Sequence, residues 1–219
     1  MTTHLLVDYG EVICVAQPAL AAAGMAALVG MAPGDFHERY WRFREEYDRG
    51  RHAHEYWAEV LGRPASAEEL AELRRLDLAG NIHLNFDTLE ALRDAHRRGA
   101  RLTLLSNAPQ DLADAVSRFA AMREIFSLML FSCELRMVKP GTRIFETALA
   151  VTETTPRETL FIDDRRENIE TAITLGLQTH HFTGADRLDA DLAGIDFGQA
   201  RTERRPWPLS ILRNRTSPS

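Results

Sequence analysis

Three short apolar runs in this chain end abruptly in polar residues, and helical patterns separate them. Leu5-Leu6-Val7 runs into Asp8, Leu102-Thr103-Leu104-Leu105 into Ser106-Asn107, and Leu160-Phe161-Ile162 into Asp163-Asp164. Unbroken apolar runs of this length suit strands covered on both faces, as in a parallel sheet. Residues 128–131 predict a fourth strand, and residues 179–182 a fifth near the sheet edge. Between them, residues 86–98 space Leu89, Leu92 and His96 along one helical face and stop at Gly99. Residues 143–151 and 167–175 read the same way, the second closing at Gly176. Strand and helix in alternation predict an α/β fold, an open doubly wound parallel sheet of Rossmann-like type.

Residues 15–84 break the alternation. They carry Ala-rich, Arg/Glu-rich and aromatic helical patterns, at 36–47, 55–61 and 67–78, the last opening on a capping box at Ser66 and Glu69. An all-helical insert after the first strand follows, with a core domain made of residues 1–14 and 85–200. The aromatic stripe Phe36, Tyr40, Trp41, Phe43 and Tyr47 suits helix packing. Residues 201–219 form a tail with five Arg, one acidic residue and three Pro. A frayed terminus is expected there, with docking through Trp207 as the alternative.

With 219 residues, 45% of them hydrophobic, the chain can bury a large core. Its net charge of −6 argues against nucleic acid as a partner. No run reaches the length of a membrane span, and the N-terminus enters a strand-like run without a basic stretch or cleavage site. A cytoplasmic protein is expected, with Cys14 and Cys133 as reduced thiols.

In open α/β sheets, ligands bind beyond the carboxyl ends of the strands. Asp8, Ser106, Asn107, Asp163 and Asp164 all fall there. Three carboxylates converging on one small volume require a cation, and Mg²⁺ favours carboxylate, water and phosphate oxygens. Adjacent side chains on a strand point to opposite faces, so one of Asp163 and Asp164 can bind metal while the other supports it. Asn168, four residues after Asp164, favours Asp164 as the direct ligand. Ser106 and Asn107 offer donors to a phosphate beside a helix starting near Pro109. Lys139 is the single lysine among 26 Lys and Arg residues. Its compact ammonium suits a place where a planar guanidinium does not fit.

In their order and spacing these segments resemble the haloacid dehalogenase superfamily of hydrolases, and in particular its sugar-phosphate phosphatases and the phosphatase domain of soluble epoxide hydrolases. The resemblance rests on Leu5-Leu6-Val7-Asp8-Tyr9-Gly10-Glu11-Val12-Ile13, Leu104-Leu105-Ser106-Asn107, Val138-Lys139-Pro140 and Phe161-Ile162-Asp163-Asp164-Arg165-Arg166-Glu167-Asn168-Ile169. It runs from about residue 4 to 182, and the helical insert resembles the family's C1 cap. It implies that Asp8 attacks phosphorus and forms an aspartyl-phosphate. It further implies Mg²⁺ held by Asp8, the Gly10 carbonyl, Asp164 and waters, with Ser106, Asn107 and Lys139 gripping the phosphoryl oxygens.

One position departs from that pattern. The family's phosphatases usually carry a second Asp two residues after the nucleophile, as general acid and base; here it is Gly10. Some sugar-1-phosphate phosphatases resembling this chain have Gly there too. Glu11 is a candidate substitute acid, with a solvent-facing glutamate as the alternative. In the cap, Asp48-Arg49-Gly50-Arg51-His52 breaks two helices; Arg49, Arg51 or His52 touching the substrate's far end is weighed against a solvated turn. The expectation is a Mg²⁺-dependent phosphatase acting, as monomer or homodimer, on a small phosphorylated metabolite. The alternatives are a phosphate-binding pseudo-enzyme or regulatory module that has lost turnover, and a metal-independent 2-haloacid dehalogenase.

Overall fold

The computed structural model describes residues 2–198, so the tail at 201–219 lies outside the described residues. Five parallel strands form one sheet in the order β3-β2-β1-β4-β5: β1 His4–Val7, β2 Arg101–Ser106, β3 Phe126–Phe131, β4 Thr159–Asp163 and β5 Gln178–His181. All five expected strands are present, and β5 takes the edge. β1 lies between β2 and β4, with Val7 in register with Leu104 on one side and Ile162 on the other. That register brings the residues just after Val7, Leu105 and Ile162 to one end of the sheet.

Alternate strand residues point to opposite faces. Leu5, Val7, Leu102, Leu104, Leu160 and Ile162 belong to one apolar cluster. Leu6, Leu105, Leu130 and Phe161 belong to a second, on the other face. Each face is sealed by helices, which is why the strands read as apolar throughout.

Helices α1 Ala19–Leu28, α2 Pro33–Arg42, α3 Arg44–Asp48, α4 Ala53–Leu61 and α5 Ala67–Gly80 come between β1 and the rest of the sheet. They have a hydrophobic cluster of their own, in which Phe36, Tyr56 and Trp57 are fully buried beside Tyr40, Tyr47 and Leu73. Each such side chain contributes about 1.5–3 kcal/mol by leaving water. The aromatic stripe is therefore packing, with Tyr47 and Tyr56 stacked at 4.1 Å; Trp41 alone of the stripe is exposed. The Ser66 and Glu69 capping box forms as expected. The helix expected over 36–47 is instead two, broken at Phe43.

The remaining helices are α6 Phe86–Arg97, α7 Gln110–Val116, α8 Ala120–Ile125, α9 Ser132–Leu135, α10 Thr142–Thr152, α11 Arg166–Thr174 and α12 Ala185–Ala193. In α6 the buried face runs through Leu89, Leu92 and Ala95, while His96 is exposed and bonds the Ala100 carbonyl. The helical insert joins the sheet through two adjacent segments. Cys14 and Leu84 bridge antiparallel, and Val15 N–H donates to His83 O as Asn85 N–H donates to Ile13 O.

Candidate active site

Asp8 directly follows β1, and its carboxylate is buried. Its Oδ1 accepts from the Tyr9 N–H and lies 2.7 Å from the Lys139 ammonium. Oδ2 makes no hydrogen bond among the described residues. Burial pushes the Asp8 carboxyl up to about 7; Lys139 opposes that rise, and Asp163 and Asp164 add to it.

Lys139 Nζ also lies 2.7 Å from Asp163 Oδ2, so one ammonium bridges two carboxylates. Its surroundings hold it above the ordinary lysine value: burial lowers it, but Asp163 and Asp8 together outweigh that. The backbone of Lys139 is clamped by Asn107, whose amide accepts from Lys139 N–H and donates to Lys139 O, both at 2.9 Å. The Asn107 side chain sets the lysine, and one amide hydrogen remains beyond that clamp.

Asp163 and Asp164 have different surroundings. Asp163 is fully buried, and its oxygens accept from Lys139, from the Asn168 amide at 2.9 and 3.0 Å, and from the Arg165 N–H at 2.8 Å. The last bond is an Asx-type turn that starts α11. Asn168 therefore faces Asp163 rather than Asp164, because it sits in the first turn of α11 and reaches back beneath the strand end. Protein donors thus already surround the Asp163 oxygens. Asp164 is half-buried; its carbonyl meets the His181 ring at 2.8 Å, while its carboxylate pairs with no side chain among the described residues. Burial raises its carboxyl to about 6, with Asp163 and Glu11 adding to the rise.

Asp8, Asp163 and Asp164 each bring a carboxylate oxygen within 4.8 Å of the others. Against them stands one ammonium, so the cluster carries excess negative charge. Hard oxygen donors with uncompensated charge fit a divalent cation such as Mg²⁺.

Ser106 ends β2 and is buried, and its hydroxyl makes no hydrogen bond among the described residues. Pro109 caps α7, which starts at Gln110 as the Pro signal implied. Gly10 and Glu11 occupy the exposed turn after Asp8. Glu11 adopts φ +52°, a left-handed conformation that costs a non-glycine residue about 1–2 kcal/mol.

Arg49 and Arg51 do not join this cluster. Arg49 pairs with Glu45 at 2.6 Å and Glu46 at 3.1 Å, and Arg51 pairs with Glu59. Glutamates of α3 and α4 thus pair with both guanidinium groups. His52 is exposed beside them.

Sequence reasoning missed Ser132. It follows the apolar run of β3 as Ser106 follows that of β2, and the same strand-end signal would have found it. Its hydroxyl accepts from the Ala108 N–H at 2.9 Å and donates to the Asp48 carbonyl at 2.5 Å.

The chain has relatives among known proteins. A phosphoserine phosphatase of Thermus thermophilus is 35% identical over 147 residues, covering 64% of this chain and 51% of that protein. Mouse bifunctional epoxide hydrolase 2 is 26% identical over 124 residues, covering 53% of this chain and 22% of that protein. The chain thus spans about half the length of the first relative and about a fifth of the second. Among solved structures, a haloacid dehalogenase family enzyme from Bacteroides thetaiotaomicron, crystallised with magnesium and inorganic phosphate, superposes with a TM-score of 0.69. It is 20% identical, with 82% of this chain and 93% of that one covered. An L-2-haloacid dehalogenase from Xanthobacter autotrophicus gives 0.63 at 17% identity, over 82% and 76% of the two chains. At these identities the two structures bear on the fold alone. The model of the haloacid dehalogenase-like hydrolases matches residues 6–176, a span that takes in Asp8, Ser106, Lys139 and Asp164, and the chain belongs to that family.

Proposed function

We propose that this hydrolase is a phosphatase that cleaves the phosphomonoester of a small metabolite, with Asp8 as nucleophile. The carrying observation is the Asp8 carboxylate, whose Oδ1 is held by Tyr9 N–H and Lys139 while Oδ2 has no partner among the described residues. Oδ2 attacks phosphorus in line; an O–P bond forms as the ester P–O bond breaks, and the leaving oxygen takes the electron pair and a proton. Water then cleaves the aspartyl-phosphate, releasing phosphate and restoring the carboxylate. The Ser106 hydroxyl and the Lys139 ammonium hold phosphoryl oxygens for that attack. Asn107 fixes the backbone of Lys139, and Asp163 fixes its ammonium.

Asp8, Asp164 and the Gly10 carbonyl would hold Mg²⁺, with Asp163 supporting from beneath. Bound there, the ion supplies neutralisation of charge on the phosphoryl group. The phosphoserine phosphatase relative supports the phosphatase reading, and the neighbour crystallised with magnesium and phosphate shares the fold that would hold the ion. Glu11 serves as proton donor in place of the usual Asp. It is exposed beside Gly10, and its charge is felt by Asp164. Residues 15–84 serve as a cap over a core built from the segments on either side.

A panel of phosphorylated sugars, nucleotides, phosphoserine and an aryl phosphate, with Mg²⁺ and with chelator, tests the proposal. Metal-dependent phosphate release that vanishes in Asp8→Asn is expected. Halide release from 2-haloacids without metal would replace it with a dehalogenase, and phosphate binding without turnover with a pseudo-enzyme.

A further inference from the structure

A chain of polar contacts, part-buried at Asn81 and buried from Asp77 onward, runs from the turn after Asp8, through the helical insert, and back to the loop after Ser106. The Tyr9 hydroxyl donates to the Asn81 carbonyl at 3.0 Å, and the Asn81 amide donates to the Asp77 carbonyl at 2.7 Å. The Asp77 carboxylate accepts from the Tyr40 hydroxyl at 2.5 Å and from Arg44 at 3.2 and 3.3 Å. Arg44 Nε donates to Asp48 at 2.9 Å, and its guanidinium lies over the Tyr40 and Tyr47 rings. Buried ionic units hold one geometry when their donors and acceptors are matched, as they are here. The end of α3 is therefore rigidly set.

Asp48 then meets the core through Ser132, which is fully buried at the end of β3. A hydroxyl has one proton, and the Asp48 carbonyl at 2.5 Å takes it in preference to the Ala108 carbonyl at 3.4 Å. The oxygen lone pair meets Ala108 N–H, two residues past Ser106. Two flanking contacts tie the same layers, Arg136 to the Gly50 carbonyl at 2.5 Å and Arg74 to Asp111 at 2.6 Å. Both arginines are exposed ones, so Ser132 is the buried link among the three.

We propose that Ser132 is a positioning residue whose hydroxyl couples the helical insert to the loop carrying Ser106 and Asn107, so that the insert and the phosphate-facing loop move as one body. This deepens the phosphatase reading and rests on it for its catalytic meaning. Ser132→Ala leaves the Ala108 N–H and the Asp48 carbonyl without their partner, and a lost hydrogen bond of this kind corresponds to about a tenfold change in a local equilibrium.

Amide exchange on the full chain without ligand, run beside turnover of an aryl phosphate, tests the coupling. Ser132→Ala should speed exchange about tenfold in residues 107–110 and 48–52 together, leave α6 unchanged, and lower kcat more than it alters KM. Arg136→Gln, which removes only the exposed tie, should speed exchange in 48–52 alone. Acceleration confined to one segment in Ser132→Ala, or spread evenly through the core, overturns the coupling. If the wild type releases no phosphate from any substrate, the phosphatase reading fails while the exchange data still decide the coupling. If the wild type turns over and Ser132→Ala changes neither segment, the coupling fails and the phosphatase reading stands.

Discussion

Lys139 holds its ammonium 2.7 Å from the Asp8 carboxylate and is sealed from solvent as it does so. A second carboxylate, Asp163, lies at the same distance, and the Phe161 ring stands 5.5 Å from the ammonium. The space is that of a point charge. Lys139→Arg keeps the charge but brings a wider planar group, which must displace Asp8 or itself. Misplacement of a reacting group by about 1 Å costs on the order of 10²-fold in rate. Phosphate release by Lys139→Arg should fall at least that far, measured with an aryl phosphate on protein shown to be folded; normal turnover would refute the steric argument.

Asp163 and Asp164 should separate in mutagenesis. Asp163 is ringed by donors and fully buried, so Asp163→Asn removes one side of a buried ion pair, at a cost of about 3–5 kcal/mol. A clear drop in thermal midpoint is expected. Asp164 is half-buried and its carboxylate bonds no side chain among the described residues, so Asp164→Asn should leave the midpoint nearly unchanged and shift the Mg²⁺ activation curve to higher concentration. Similar losses of stability in both variants would contradict the division.

These two residues also mark how far the sequence carries. The strand ends were legible because apolar runs buried on both faces stop where the chain leaves the sheet, and Asp8, Ser106 and Asp163 sit at those stops. Which neighbour Asn168 faces was not legible: it depends on where α11 starts, and the Asx-type turn at Asp163 sets that start. The partners of Arg49 and Arg51 were hidden for a related reason. Local charge spacing offers several glutamates at helical distance, and side-chain packing chooses among them. Ser132 lay beyond a weaker strand signal, and its carbonyl partner, Asp48, is 84 residues away in sequence.

Gly10 offers a gain-of-function test. A Cβ built there meets nothing within 4 Å, and its φ is not among the positive ones. An aspartate therefore fits without strain at the position where the family usually carries its acid. General acid–base help is worth about 10²–10⁴-fold, so Gly10→Asp should raise kcat at least tenfold for substrates with poor leaving groups, and little for an activated aryl ester. With Glu11 as the present donor, Glu11→Gln should lower kcat for the poor leaving groups alone, and Gly10→Asp, as the better-placed acid, should rescue it. Unchanged rates in both variants would remove proton transfer from the slow step.

His4 sets a pH dependence of stability that is separate from the active site. It lies buried on β1, with Nε2 3.0 Å from the Thr103 hydroxyl and Nδ1 buried without a partner among the described residues. Burial, with a smaller contribution from Arg101, lowers its pKa from 6.5 to about 3. Above pH 6.5 the ring is neutral in both the folded and the unfolded chain, so His4 adds no slope. Below it the unfolded chain takes up a proton that the folded chain refuses, and stability declines by about 1.4 kcal/mol per pH unit. The decline levels off near pH 3, where the folded form also binds the proton. His4→Gln keeps a hydrogen-bonding side chain opposite Thr103 and does not titrate. Urea unfolding of both proteins at pH 7, 6, 5 and 4 should therefore give curves that converge or cross on acidification, the wild type losing stability faster. Parallel curves would mean that the imidazole finds a way to be protonated inside the fold.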